Sequence, residues 1–78
     1  MHIAILAPCQ DPGVPYNGNR SGDDFRHAKS VTFRCNEDYE LEGEATISCN
    51  NGDWTSKTPM CKSMYIHNAN GVLIVLRQ

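Results

Sequence analysis

Ser30-Val31-Thr32-Phe33-Arg34-Cys35 alternates polar and apolar side chains over six residues, the period-two pattern of a strand with one buried face. Val31, Phe33 and Cys35 fall on the inward side; Ser30, Thr32 and Arg34 face out. Ala45-Thr46-Ile47-Ser48-Cys49 repeats the pattern, so Cys35 and Cys49 both sit on strands with their sulfurs aimed at the interior. Moving outward in both directions, short apolar runs are interrupted roughly every 8 to 12 residues by turn residues, and no helical periodicity appears. These features predict a small all-β domain.

The outer limits of that domain are two further cysteines, Cys9 and Cys61. A 78-residue chain has a high surface-to-volume ratio, and hydrophobic burial alone leaves it little net stability. Four cysteines with no Cys-x-x-Cys pair point to two disulfides rather than to a zinc site or a redox motif. Zinc ligands cluster in pairs, whereas these cysteines are far apart and the three histidines are scattered. Three pairings are open to four cysteines, and spacing does not choose among them. If Cys9 joins Cys49 and Cys35 joins Cys61, the loops close over about 41 and 27 residues, each worth roughly 3.5 to 4 kcal/mol in the chain-entropy model and not additive. Disulfides persist in oxidising compartments, which places the protein outside the cytosol.

Turn chemistry fills the intervals. Asn17-Gly18 and Asn51-Gly52 are candidates for two-residue reversals that need positive φ, and Gly43 is a third turning point. Pro12, Pro15 and Pro59 stiffen the approaches to Cys9 and Cys61 and mark those ends as edge or extended segments. Trp54, the single tryptophan, is read as a core residue, the alternative being an exposed aromatic anchor; Tyr39 and Leu41 are weighed the same way.

Seven basic and nine acidic residues give a net charge of −2, too small to draw the chain to nucleic acid or to an anionic membrane surface. Residues 1–8 lack the basic and apolar regions of a secretory signal, so the expectation is a flank or linker, with the export signal elsewhere in a longer secreted or membrane-anchored protein. Residues 62–78 form a C-terminal flank, partly disordered or the start of a truncated neighbour. Its run Gly71-Val72-Leu73-Ile74-Val75-Leu76 is far shorter than the about 20 residues that cross a bilayer. It reads as a hairpin strand around Asn70-Gly71, as the first strand of a following domain, or as foreign sequence, and it is an aggregation hazard if exposed.

Catalysis fails on inventory. A serine or cysteine nucleophile needs a histidine base and a third group to orient it. The cysteines are spoken for by bridges, and His2, His27 and His67 are dispersed. Asp23-Asp24 and Glu37-Asp38 supply oxygen donors, but not at the spacing of a calcium loop. No metal, cofactor or catalytic residue is therefore expected. Asn19-Arg20-Ser21 is a glycosylation sequon just beyond the Asn17-Gly18 turn, which makes Asn19 a candidate modification site.

Taken in order, Cys9 with Pro12, Asn17-Gly18, Val31-Thr32-Phe33-Arg34-Cys35, Tyr39-Glu40-Leu41-Glu42-Gly43, Ile47-Ser48-Cys49, Gly52-Asp53-Trp54 and Pro59-Met60-Cys61 resemble a sushi domain, also called a complement control protein module or short consensus repeat. The resemblance covers residues 9–61. It implies an elongated β-sandwich, Cys9 joined to Cys49 and Cys35 to Cys61 with one bridge near each end, and Trp54 packed on the core. One departure stands out: family members usually carry Gly immediately before the aromatic that Tyr39 supplies, and here that residue is Asp38. Asp tolerates left-handed backbone better than most residues, so local stability is in question rather than the fold. The opening Cys9-Gln10-Asp11-Pro12-Gly13-Val14-Pro15, with Ser21-Gly22-Asp23-Asp24-Phe25-Arg26 and Ser30-Val31-Thr32-Phe33, is most similar to repeats of the CUB and sushi multiple domain proteins. Those are type I membrane proteins linked to complement restraint and to synapses.

In sushi modules residues 18–30 correspond to a variable loop protruding from one side. Here it offers Arg20, Asp23, Asp24, Phe25, Arg26, His27 and Lys29, both charges with one aromatic, and Arg and aromatics are the types that dominate interface energy. The plainer reading is a solvated loop with Phe25 folded back as a lid on the core. The functional expectation is a non-catalytic extracellular interaction module, a monomeric unit of a tandem array in a secreted protein or type I ectodomain. Its partner would be a protein, with a complement component or a synaptic ligand as the classes the resemblance implies. The alternatives are a structural spacer between neighbouring domains and a stand-alone disulfide-rich inhibitor.

Overall fold

The computed structural model describes residues 5–67, 70–71 and 73–75, and every regular element among them is a strand. In chain order these are β1 (Gly18–Ser21), β2 (Ser30–Cys35), β3 (Tyr39–Glu42), β4 (Thr46–Asn50), β5 (Asp53–Trp54), β6 (Met60–Ser63), β7 (Tyr65–His67) and β8 (Leu73–Val75). β1, β2, β4 and β5 pair in that order as an antiparallel sheet, while β3 pairs with β6 and β7 with β8. The molecule is elongated, with extents of 70 × 17 × 16 Å.

The alternation in β2 and β4 decides which face is buried. Their register sets Val31 opposite Ile47, and with Phe33 these side chains are at most 1% exposed. Phe25, Leu41 of β3 and Trp54 of β5 are half-buried against that cluster. Each fully buried side chain of this size contributes about 1.5 to 3 kcal/mol, so three of them make a small core. On the opposite face the same register brings hydroxyls together. Ser30 and Ser48 hydrogen-bond at 2.6 Å, and Thr32 and Thr46 at 3.0 Å.

Two disulfides supplement this core. Cys9 is bonded to Cys49 and Cys35 to Cys61, with Cα separations of 5.8 and 5.5 Å. The first holds a segment that has no strand of its own. Residues 9–13 are tied to the sheet by side chains: Trp54 Nε1 donates to the Gln10 carbonyl at 2.8 Å, and Thr58 Oγ1 to that of Pro12 at 2.8 Å. The Cys9 amide donates to the Phe25 carbonyl at 2.8 Å.

Turn residues act largely where the sequence places them. Asn51 (φ 48°) and Gly52 (φ 92°) form the two-residue reversal between β4 and β5, with Asn50 opposite Asp53. Asp38 adopts φ 71°, the left-handed conformation for which a glycine is usual. The first reversal differs. It is centred on Tyr16 and Asn17 (φ 63°), closed by the Gly18 amide donating to the Pro15 carbonyl at 3.2 Å, and Gly18 already belongs to β1. The reason is packing. A Cβ on Gly18 would lie 2.6 Å from the Arg34 carbonyl oxygen and 2.7 Å from Cys61 Sγ, so the strand runs closer to its neighbours than any other residue permits.

The expected loop of residues 18–30 also begins as a strand. Gly18, Asn19, Arg20 and Ser21 pair with Cys35, Arg34, Phe33 and Thr32. Only residues 22–29 leave the sheet. At the other end of the chain, β7 and β8 form a hairpin with Tyr65 opposite Val75 and His67 opposite Leu73. Of the flanks read from sequence, residues 1–4, 68–69, 72 and 76–78, including Val72 and Leu76 of the apolar run, lie outside the described residues.

Ala28 takes φ 71° without the glycine or asparagine that such backbone favours. Ala28→Gly should therefore raise unfolding stability by about 0.5 to 1 kcal/mol, relief of the left-handed strain exceeding the entropy that glycine adds to the unfolded chain. Gly18→Ala should lower it by about 1 to 3 kcal/mol through overpacking. Denaturant unfolding of the oxidised protein measures both, and a destabilised Ala28→Gly would refute the strain argument.

Candidate functional site

The seven loop residues expected to bind are not equivalent once folded. Arg20 points inward from β1 beside Phe33, and its side chain is only 14% exposed. Its guanidinium meets the Asp11 carboxylate at 2.7 Å and donates to the carbonyls of Gly13 (3.1 Å) and Gly22 (2.9 Å). It also lies over the Phe25 ring, 4.9 Å from the centroid. Phe25 in turn meets Trp54 edge to face, with centroids 6.0 Å apart at 77°. The three side chains form a stack from β1 across the loop to β5, a geometry in which both the cation over a ring face and the ring edge against a ring are attractive. Phe25 is thus a lid on the core, and Arg20 holds the lid down.

His27 is committed as well. Its Nδ1 accepts the Asn51 amide at 3.0 Å, joining the loop to the β4–β5 turn, and this requires an unprotonated Nδ1. The same end of the loop bonds to β4 through Ala28 N–H to the Cys49 carbonyl and Cys49 N–H to the Lys29 carbonyl, both 2.8 Å. Asp23, Asp24, Arg26 and Lys29 remain on the outside. Arg26 and Asp24 form a two-pronged ion pair at 2.7 and 2.9 Å. It holds the Asp24 carboxyl down to about 2, chiefly by the guanidinium bonds and then by the Arg26 amide. Asp11 is also lowered, first by the Gly13 amide and then by Arg20.

Asn19 is exposed on the outer face of β1 opposite Arg34. Among the described residues, no group of three or more His, Cys, Asp or Glu side chains could hold a metal ion.

A second surface was not singled out from sequence. Tyr16 stands at the tip of the turn closed by Pro15 and Gly18 and is 93% exposed; Val14 and Met60 are exposed to 52% and 59%. With Pro15, Pro59 and Cys61 they line a shallow cleft of about 190 Å³. Its floor is stiff, because Cys61 is held by its disulfide and the two prolines have fixed φ. The signal in the sequence was Pro15-Tyr16-Asn17-Gly18, a turn with proline at its first position, which displays the residue after the proline at the apex.

Fold and surface define a disulfide-stapled β module that displays side chains on a frame clasped at two points. The family model for the sushi repeat (SCR repeat) matches residues 9–61, and the chain belongs to the sushi family. Relatives include the mouse sushi, von Willebrand factor type A, EGF and pentraxin domain-containing protein 1, 37% identical over 60 residues that make up 76% of this chain and 2% of the relative. The rat C4b-binding protein beta chain is 32% identical over 72% of this chain and 22% of its own length. Human complement receptor type 2 is 33% identical over 85% of this chain and 8% of its own length. The chain therefore spans less than a quarter of each of these relatives.

The Asp24 pair gives a direct test. In the folded protein its carboxyl should titrate with a midpoint of about 2 by carbon-detected NMR. Because the folded value is depressed, the pair's contribution is present above the unfolded value and is lost as pH falls from about 3.8 toward 2. Arg26→Gln should move the midpoint up toward 3.8, a smaller depression remaining from the residue 26 amide. A midpoint unchanged by Arg26→Gln would show that the ion pair is not the cause.

Proposed function

We propose that this chain is a non-catalytic extracellular protein-binding module, and that it takes its partner against the cleft formed by Val14, Tyr16 and Met60. The supporting observation is the placement of aromatic side chains. Phe25 and Trp54 are spent on the core, whereas Tyr16 stands 93% exposed on a turn braced by Pro15. Tyrosine supplies large contact area at low entropic cost, which is why rigid exposed tyrosines act as anchors in interfaces. Val14 and Met60 beside it supply apolar area, and methionine adapts its shape to a partner. The charged group Asp23, Asp24, Arg26 and Lys29 is the second candidate surface. Its strongest pair is already satisfied internally, so breaking it for a partner costs what the new contact gains.

The module acts by presenting this surface as one monomeric unit of a tandem array, in a secreted protein or the ectodomain of a type I membrane protein. Among its relatives are proteins named for binding C4b and for reception of complement, and a complement component is the proposed partner class. The spacer role has its own support in the elongated shape of the chain, about four times longer than it is wide, which sets apart whatever is joined to its two ends.

Immobilised C4b is the probe. Tyr16→Ala should weaken binding about 10- to 30-fold, the range of an interface anchor, and Arg26→Ala less than about 5-fold. Undiminished binding by Tyr16→Ala would move the site away from the cleft. Absence of binding by the unaltered module would remove C4b as partner, and failure across other complement fragments would favour the spacer.

A further inference from the structure

We infer that Asn19 carries an N-linked glycan, attached before β1 closes onto the sheet and projecting from the face opposite the Tyr16 cleft. The triplet Asn19-Arg20-Ser21 meets the acceptor requirement of an Asn two residues before a Ser with no intervening proline. In the fold the three residues are divided by strand alternation. Asn19 and Ser21 are exposed, opposite Arg34 and Thr32, whereas Arg20 points inward to Asp11 and Phe25. A glycan on Asn19 Nδ2 therefore has open space and displaces no packed side chain.

The direction of that glycan follows from Gly18. A Cβ built there meets Pro15 Cγ at 3.1 Å and Cys61 Sγ at 2.7 Å, and both residues line the cleft. Asn19 is the next residue of the same strand and points the other way. On its own side are the outward hydroxyls of Ser21, Thr32, Thr46, Ser30 and Ser48, a flat polar face. β1 is also the terminal strand of its four-stranded sheet, with one edge unpaired in that sheet. A bulky glycan on an edge strand obstructs edge-to-edge pairing with other chains, a hazard that exposed edges otherwise carry.

The order of events follows from Arg20. A transferase must draw the acceptor triplet into its own site, yet in the folded protein the middle residue holds an ion pair, two carbonyls and a ring contact. Its flanking residues are in strand register with β2. The triplet is free only while β1 is unpaired. In the transfer, the donor is an oligosaccharide linked to a lipid diphosphate. Its anomeric carbon to oxygen bond breaks, a bond from that carbon to Asn19 Nδ2 forms, Nδ2 gives up one proton, and the lipid diphosphate leaves.

Two measurements test this. The full chain, secreted from animal cells behind a heterologous signal, should run as a heavier species that collapses on amidase deglycosylation, and its Asn19 peptide should then read as Asp. Asn19→Gln and Ser21→Ala should each abolish the heavier species while unfolding as the parent does. Recovery of the Asn19 peptide entirely unmodified from secreted protein would overturn the site. In the second, purified transferase and lipid-linked donor are offered the refolded oxidised chain or the same chain reduced and alkylated. Modification of the reduced chain at least tenfold above the folded one is expected, and equal modification would overturn the order. If the cleft is the binding surface, removing the glycan leaves binding to immobilised C4b within about twofold. A large change would refute the opposite-face placement, whereas absence of C4b binding bears only on the partner.

Discussion

The bond between Cys9 and Cys49 ties a segment with no strand pairing of its own to the middle of the principal sheet. Most of what gives the module a definite surface hangs on residues 9–13 staying there. Gln10 receives the Trp54 indole, Pro12 receives Thr58, Cys9 donates to Phe25, and Asp11 anchors Arg20. None of these is strong alone, and Asp11 is largely in solvent, so together they cannot replace the covalent link. With Cys9 fixed, residues 10–13 are held near their partners, and each contact forms at a lower entropic cost than it would on an untethered segment.

A core of Val31, Phe33 and Ile47 explains why so much rests on links of this kind. In a larger domain the inner sheet face would decide the geometry of the loops. Here the loop of residues 22–29 is shaped by polar and aromatic contacts: Arg20 above Phe25, Phe25 against Trp54, His27 on the Asn51 amide. A fold stabilised this way has few residues free to vary without consequence. The turn that carries the exposed Tyr16 is stiffened in another way, by the fixed φ of Pro15.

How much of this the sequence carried depended on how local each signal was. The strands β2 and β4 were readable because alternation is a property of neighbouring residues, and Asn51-Gly52 because both members of the reversal adopt positive φ by their own nature. Asp38 could be weighed as a substitute for glycine on the same ground. β1 was not readable. Gly-Asn-Arg-Ser has no apolar residue, and it is a strand only because β2 pairs with it and Arg20 finds Asp11 nine residues upstream. Phe25 as a lid on the core was one of the two readings the sequence offered, whereas the uses of Arg20 and His27 were hidden, since each is defined by partners distant in the chain. Tyr16 lay inside a legible turn, but its exposure depends on what the neighbouring surface leaves uncovered.

The two bridges overlap along the chain, one spanning 40 residues and the other 26. Under tension this becomes a mechanical property. A pull applied at Cys9 and Cys61 is carried across the first bridge to Cys49, and only the stretch from there to Cys61 can pay out. That is about 12 peptide units, or roughly 40 Å fully drawn, whereas the same span without bridges would reach roughly 180 Å. A string of such modules gives little slack even when the sheets are torn open, so it behaves as a nearly inextensible tether.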